Sequence, residues 1–185
     1  MSINAIAHGI SLVSSLVGYD TVSLNGDLKG AQMQKVCFEL EVYSFHIDFI
    51  GHVNNLVYVQ WMEIGRTKLL EVIGMPLHEI LQQGFAPVLV QTQITYKAPL
   101  FLGDRVQVEL WLSELRQASA VMQFHFYNAQ RTLAAAGWQK GLFVDRTTLR
   151  PRRLRSDERA LFLPYVHSDE AISGEALVNL ALKQG

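Results

Sequence analysis

The sequence predicts an α+β fold in which an antiparallel sheet of about five strands wraps around one long central helix. Three observations support this prediction. Helical periodicity extends over about twenty residues, from Asn54 to Ile73. Five other segments have the period-two alternation or the β-rich composition of strands. Only one helix is long enough to share a core with such a sheet, so the sheet must curve around it.

The first strand and the long helix follow from side-chain spacing. Apolar residues alternate with other residues over positions 36–43, which indicates a half-buried strand. The apolar face of the helix consists of Tyr58, Met62, Gly65, Leu69 and Val72. Glycine within a helix costs about 1 kcal/mol relative to alanine, so we expect Gly65 to permit close approach to the sheet.

A short helix and four strands follow the long helix. Gly74 and Pro76 end the long helix, and the short helix is expected over Leu77–Gln83. The predicted strands are Val88–Tyr96, 106–112, 120–127 and Leu133–Asp145. Short turns, such as Asn128–Arg131, join consecutive strands and make them antiparallel. Beyond these strands, Asp157–Leu163 and Glu175–Lys183 are expected to be short helices.

The length of 185 residues suits one domain with a substantial core. Residues 1–34 are rich in Gly and Ser and nearly uncharged, so we expect a poorly ordered N-terminal extension, or a true start at Met33. Residues 35–150 are expected to form the domain, and residues 151–185 a C-terminal tail with short helices.

Charge and cysteine content restrict the class of protein. The formal net charge of −1 argues against a nucleic-acid binder, which would usually be basic. Cys37 is the only cysteine, which excludes an intrachain disulfide and fits a reducing compartment. No apolar run reaches the roughly 18 residues that span a bilayer. We therefore expect a cytoplasmic protein without a membrane span.

The densest polar cluster lies between the first strand and the long helix. Within eight residues it contains Asp48, Gly51, His52, Asn54 and Asn55. A helix start presents unpaired N–H groups and the positive end of the helix dipole. An acid beside such a start can therefore act on an anion or a carbonyl group that binds there.

This cluster resembles the signature of hotdog-fold thioesterases of the 4-hydroxybenzoyl-CoA thioesterase-like family. The residues that fit the family's motif are Asp48, Gly51, His52, Val53, Asn54, Asn55, Tyr58, Trp61, Glu63 and Arg66. The resemblance covers roughly residues 35–150. It implies the hotdog fold and acyl-CoA thioesterase activity without a metal or other cofactor. It also implies a homodimer or homotetramer, in which residues near Gln91–Tyr96 of a second protomer face Asp48.

The resemblance and the chemistry of thioester hydrolysis imply roles for individual residues. Asp48 would act as a general base for water or as a nucleophile. The backbone N–H at Asn55 would stabilise the oxyanion. His52 would either assist catalysis or only stabilise the loop, and Asn54 also suits a helix N-cap. Substrate binding is assigned to Gly51, Asn54, Tyr58, Trp61 and Met62.

Two positions depart from related motifs. Ile50 stands where similar acyl-carrier-protein thioesterases have an asparagine two residues after the aspartate. His46 stands where many CoA thioesterases have a second aspartate. Ile50 therefore puts the asparagine-dependent chemistry of the carrier-protein enzymes in doubt. On the helix, Glu63 and Arg66 are three residues apart and are expected to form an ion pair.

A basic cluster near the C-terminus has two interpretations. It comprises Arg150, Arg152, Arg153 and Arg155. It could be a solvated strand end, or it could contact phosphates of coenzyme A, because the Arg fork matches phosphate geometry. On the second interpretation Arg150 and Arg152 bind substrate. An acidic acyl carrier protein would suit these charges equally well.

Other functions are weighed against hydrolysis of acyl-CoA. The sequence has no Gly-x-Ser-x-Gly elbow, no Gly-rich phosphate loop and no histidines at metal-ligand spacing. An acyl-ACP thioesterase and a non-catalytic acyl-binding domain on the same fold remain alternatives, since fold does not determine function. The apolar residues Trp61 and Met62 favour a fatty acyl group over a small aromatic one.

Overall fold

The computed structural model describes residues 34–167. In chain order, the helices and strands are β1 (Val36–Glu41), α1 (Asn55–Val72), α2 (Leu77–Gln82), β2 (Phe85–Tyr96), β3 (Arg105–Leu115), β4 (Ser119–Tyr127), β5 (Leu133–Asp145) and α3 (Ser156–Phe162). Single 3-10 turns occur at Ser44–His46 and Leu163–Tyr165. The predicted N-terminal extension up to residue 33, and the helix predicted at Glu175–Lys183, lie outside the described residues.

The five strands form one antiparallel sheet in the order β1-β3-β4-β5-β2. This order makes β1 and β2 the two edge strands. The sheet packs against α1, so the predicted α+β class, with one long helix against a five-stranded sheet, is confirmed. Helix α1 begins directly after Asn54 and ends directly before Ile73, which are its two capping residues.

The core lies between α1 and the inner face of the sheet, where alternate strand residues point. Leu110 on β3 and Phe124 on β4 are fully buried there and meet α1 at Gly65. A Cβ atom at Gly65 would lie 2.9 Å from a ring carbon of Phe124 and 3.4 Å from Leu110 and Phe38. The expectation that Gly65 permits close approach to the sheet is confirmed.

Strand β2 begins three residues earlier than the sequence predicted. Phe85 pairs with Asp145, and Pro87 pairs with Phe143, so the first residues of β2 continue the ladder with β5. A proline is tolerated at this position because an edge strand can leave one N–H direction unused. The ladder contains an irregularity between Leu89 and Gln91.

The segment after β5 folds back onto the domain. The backbone N–H of Arg152 donates to Phe143 O at 2.7 Å, and that of Leu154 donates to Gln117 O at 2.7 Å. The Arg152 guanidinium donates to both carboxylate oxygens of buried Glu158, at 2.8 and 2.7 Å, and covers the ring of Phe85. The hydrogen bonds from Arg152 hold the pKa of Glu158 below its usual value.

We predict that Gly65→Ala lowers the free energy of unfolding. Overpacking of a filled core costs about 1–3 kcal/mol, which should exceed the gain of about 1 kcal/mol in helix propensity. Gly141→Ala is the matched control, because its new Cβ would meet its nearest atom, Val88 O, at an ordinary 3.5 Å. Denaturant unfolding measures both variants, and an unchanged or more stable Gly65→Ala protein would contradict the packing described above.

Candidate active site

Residues 46–54 form a tight hairpin directly before α1. The backbone N–H of Asn54 donates to His46 O at 2.9 Å, and that of Asp48 donates to His52 O at 2.9 Å. The N–H of Val53 donates to Leu100 O at 2.9 Å, which ties the hairpin to the loop between β2 and β3. These bonds fix Asp48 on one arm of the hairpin, while the other arm runs into the helix start.

One of the two carboxylate oxygens of Asp48 is hydrogen-bonded within the hairpin turn. Its Oδ1 accepts hydrogen bonds from the backbone N–H of Ile50 at 3.0 Å and of His52 at 3.4 Å. Gly51 closes the turn with a φ of 83°, a conformation that glycine adopts without steric cost. Within residues 34–167, Oδ2 has no hydrogen-bond partner. One oxygen is therefore held in place, and the other is available to accept a proton.

At the start of α1, one backbone N–H group has no partner among residues 34–167. Asn54 is the N-cap, and its Oδ1 accepts from Leu56 N at 2.9 Å. Val57 N donates to Asn54 O, and Asn54 N donates to His46 O. The N–H of Asn55 has no partner in the described part of the chain. The donor free at the positive end of the helix dipole is therefore the one at Asn55.

Tyr96 holds the first helical residue from the end of β2. Its hydroxyl donates to Asn55 O at 3.1 Å, and its ring lies 5.2 Å from that of Tyr58. Burial raises the pKa of Tyr96, and burial together with Tyr96 and Asp104 raises the pKa of Tyr58 to about 12. The sequence interpretation placed Gln91–Tyr96 opposite Asp48 of a second protomer. The contact between Tyr96 and Asn55 is made within one chain, and the contribution of a second protomer stays a prediction.

Two histidines flank Asp48 in different environments. The ring of His52 meets Phe101 edge-on at 5.2 Å, and neither of its ring nitrogens is hydrogen-bonded to a described residue. His46 accepts a hydrogen bond at Nδ1 from the N–H of Tyr43 and packs edge-on against Trp61. Burial lowers the pKa of His46. The lowered pKa favours the neutral form of His46.

The aromatic and apolar residues assigned to substrate binding on α1 lie in the core. Trp61 is 2% exposed, and Met62 is fully buried. Tyr58 is buried between the rings of Trp61 and Phe126. These three side chains therefore support the helix start from below, because the face of α1 that carries them packs against the sheet.

The accessible apolar side chains around the helix start belong to other residues. Leu56 is 72% exposed and Phe49 is 99% exposed. With these two, the exposed rim comprises Tyr43, Phe45, Ile50, Phe101 and Leu102. The accessible apolar side chains thus lie on Leu56 and on the neighbouring loops, not on the buried face of α1.

An apolar cavity of about 80 Å³ lies further along α1. Its lining residues include Leu69, Leu70, Val88, Leu112, Met122, Phe143 and Phe162. Glu63 and Arg66 also line it, and they form the predicted ion pair. The cavity thus lies between the second half of α1 and the inner face of the sheet.

The structure separates Arg150 and Arg152 from Asp48. Both follow β5, whose last residue, Asp145, pairs with the first residue of β2. The hairpin of Asp48 instead lies beside Leu100, beyond the last residue of β2. Arg152 is engaged by Glu158, whereas Arg150 is exposed. Both arginines therefore lie at the opposite end of the β2–β5 ladder from the Asp48 hairpin.

Residues 34–167 contain no group of three or more His, Cys, Asp or Glu side chains that could hold a metal ion. No helix in that range is both long and apolar enough to cross a membrane.

Comparison with known proteins identifies the family. The sequence model of the thioesterase-like superfamily matches residues 45–163. The chain belongs to the thioesterase-like superfamily. The predicted family and the predicted thioesterase class of enzyme are both confirmed.

Relatives of this thioesterase-like protein carry related names. YneP of Bacillus subtilis, which is provisionally named an acyl-CoA thioesterase, is 29% identical over 63% of this chain and 85% of its own. The chloroplastic acyl-acyl carrier protein thioesterase ATL3 of Arabidopsis thaliana is 29% identical over 79% of this chain and 78% of its own. The SAV2348 protein of Staphylococcus aureus, solved in complex with CoA, has a TM-score of 0.71 at 17% identity, covering 79% of this chain and 92% of its own.

Proposed function

We propose that the protein hydrolyses acyl-CoA thioesters to a free acid and CoA at the start of α1. The observation that carries this proposal is the unpaired N–H of Asn55, which follows a hairpin that leaves one oxygen of Asp48 free. Hydrolysis of a thioester needs stabilisation of the oxyanion and activation of an oxygen nucleophile. The two groups supply these requirements from one continuous segment.

The chemistry can be written with named atoms. The thioester carbonyl oxygen accepts from Asn55 N–H, and a water oxygen adds to the carbonyl carbon while Asp48 Oδ2 takes a water proton. When the C–S bond breaks, the thiolate takes that proton from Asp48 and leaves as a thiol. Alternatively, Oδ2 attacks the carbonyl carbon, the C–S bond breaks and the thiolate leaves. Water then hydrolyses the anhydride, which releases the acid and the Asp48 carboxylate, and a water proton converts the thiolate to the thiol. In both routes the ring of His52 assists by contacting the thioester.

The proposed carrier is coenzyme A, with acyl carrier protein as the alternative. The name of YneP and the CoA complex of SAV2348 support CoA. The name of ATL3 supports a carrier protein. The ratio of kcat/KM for one acyl group on the two carriers decides between them. Purified protein that releases no thiol from either carrier would leave only a non-catalytic acyl-binding domain.

Replacing Asp48 by Asn should lower kcat by about 10²–10⁴-fold, the usual contribution of a general base. The amide oxygen of Asn can still accept from Ile50 N, so we expect the hairpin and the circular dichroism spectrum to be preserved. His52→Ala should lose less, because its role is supporting. A folded Asp48→Asn protein that keeps more than half the wild-type rate would exclude Asp48 as base or nucleophile.

We predict faster hydrolysis of long aliphatic thioesters than of small aromatic ones. The apolar cavity begins at Glu63, which lies about 12 Å along the helix from Asn55 at 1.5 Å per residue. An extended acyl chain can bury its end there, whereas a benzoyl group is too short. Comparison of kcat/KM for dodecanoyl-CoA and benzoyl-CoA measures this preference. A larger value for benzoyl-CoA would contradict an acyl path along α1.

We also predict a homodimer or homotetramer in which two β2 edges pair. The twelve residues of β2 include no charged side chain, whereas β1 at the other edge carries Glu39 and Glu41. Charged residues protect edge strands from pairing, and β2 lacks this protection. The interface should bury well over 1,000 Å² in total.

The oligomeric state can be measured with a matched pair of variants. Light scattering of the wild-type protein should give at least twice the mass of 20.8 kDa. Val90→Lys, at an exposed position in the middle of β2, should shift the mass toward the monomer. Cys37→Lys on β1, also exposed, should not. A wild-type monomer that hydrolyses thioesters at micromolar concentration would refute this arrangement.

A further inference from the structure

A second candidate site lies where the C-terminal segment meets the turn between β3 and β4. An open cleft of about 580 Å³ is lined by Arg116, Gln117, Arg153, Leu154, Ser156 and Arg159. We refer to it as the arginine cleft. It contains three arginines, and among residues 34–167 no acidic side chain lines it. The fold brings these arginines together from three segments: the β3–β4 turn, the chain after β5, and α3.

The arginines of the cleft are positioned to different degrees. Arg159 donates from Nη2 to Leu115 O at 3.2 Å, which fixes its guanidinium against the end of β3. Arg116 forms an ion pair with Glu114, which is partly exposed. The guanidinium of Arg153 has no hydrogen bond or ion pair with any described residue. The cleft is therefore lined by one arginine bonded to the backbone, one in a surface ion pair, and one without a partner among the described residues.

The geometry points to a binding site for the phosphates of a nucleotide. Arg presents a planar fork of N–H donors that matches phosphate oxygens, and three such forks can hold more than one phosphate. The cleft has the volume of a small-molecule site, which is larger than one phosphate needs. Leu154 supplies an apolar wall on which a base or sugar can pack. The phosphate ligands proposed here are Arg116, Arg153 and Arg159, in place of Arg150 and Arg152.

The cleft and Asp48 lie at opposite ends of β3. The eleven residues of β3 extend roughly 33 Å at about 3.3 Å per residue. A nucleotide in the cleft is therefore either a free ligand or the nucleotide end of a CoA thioester bound at Asp48 of a second protomer. The second source rests on the proposed function and on antiparallel pairing of two β2 edges, which would place the cleft of one protomer at the Asp48 end of the other.

The test uses adenosine 3′,5′-bisphosphate as the probe and titration calorimetry as the measurement. The wild-type protein should bind the bisphosphate and should not bind adenosine. Arg116→Gln and Arg153→Gln should each raise its Kd at least about tenfold, the usual effect of losing a hydrogen bond to a charged group. Arg146→Gln removes an exposed arginine outside the cleft and should leave the Kd within about twofold of wild type.

Kinetic measurements distinguish the two sources of the nucleotide. If the nucleotide belongs to the substrate, Arg153→Gln raises KM for an acyl-CoA but not for the same acyl-pantetheine. If the nucleotide is a free ligand, both KM values stay unchanged while bisphosphate binding falls.

Failure of all thioester hydrolysis would defeat the proposed function but not the calorimetric result. No binding of the bisphosphate at millimolar concentration, or equal binding by wild type and both cleft variants, overturns the inference. The inference would also be overturned if the cleft variants lost binding to an acidic carrier protein but bound the bisphosphate as the wild type does.

Discussion

The candidate site depends on how the N–H groups at the start of α1 are paired. A helix leaves its first N–H groups without partners inside the helix. Here the N–H of Asn54 donates to His46 O in the hairpin, and the N–H of Leu56 donates to the side chain of Asn54. Of the N–H groups at this helix start, the one at Asn55 has no partner among residues 34–167. The same hairpin holds Oδ1 of Asp48. Local folding of ten residues therefore defines both the donor and the acid.

The rest of the fold keeps this start in place. Gly65 lets the middle of α1 touch the sheet, and the buried residues Trp61 and Met62 fill the space beneath the first turns. Tyr96 at the end of β2 donates to the carbonyl of Asn55, so the sheet is bonded to the first helical residue. A rigid support of this kind is what a preorganised oxyanion site requires. The site is therefore a property of the whole sheet-and-helix core.

Much of the fold could be predicted from the sequence because periodicity and caps are local signals. The bounds of α1 follow from Asn54 and Gly74, and β5 follows from its composition and its flanking turns. The role of Tyr96 could not be predicted, because its partner is 41 residues earlier in the chain. The different positions of the arginines in residues 150–155 could not be predicted either, because they depend on partners set by the fold. The fold pairs Arg152 with Glu158 and places Arg153 beside Arg116 and Arg159, which no sequence spacing indicates.

The most direct measurement is a crystal structure with a non-hydrolysable acyl-CoA analogue in which a methylene group replaces the thioester sulfur. We expect the carbonyl oxygen to lie about 2.7–3.1 Å from Asn55 N, the range for an oxyanion donor. We also expect Asp48 Oδ2 to face the carbonyl carbon, directly or through one water. An analogue bound with its carbonyl away from the start of α1, and with Asn55 N–H still unpaired, would contradict the account.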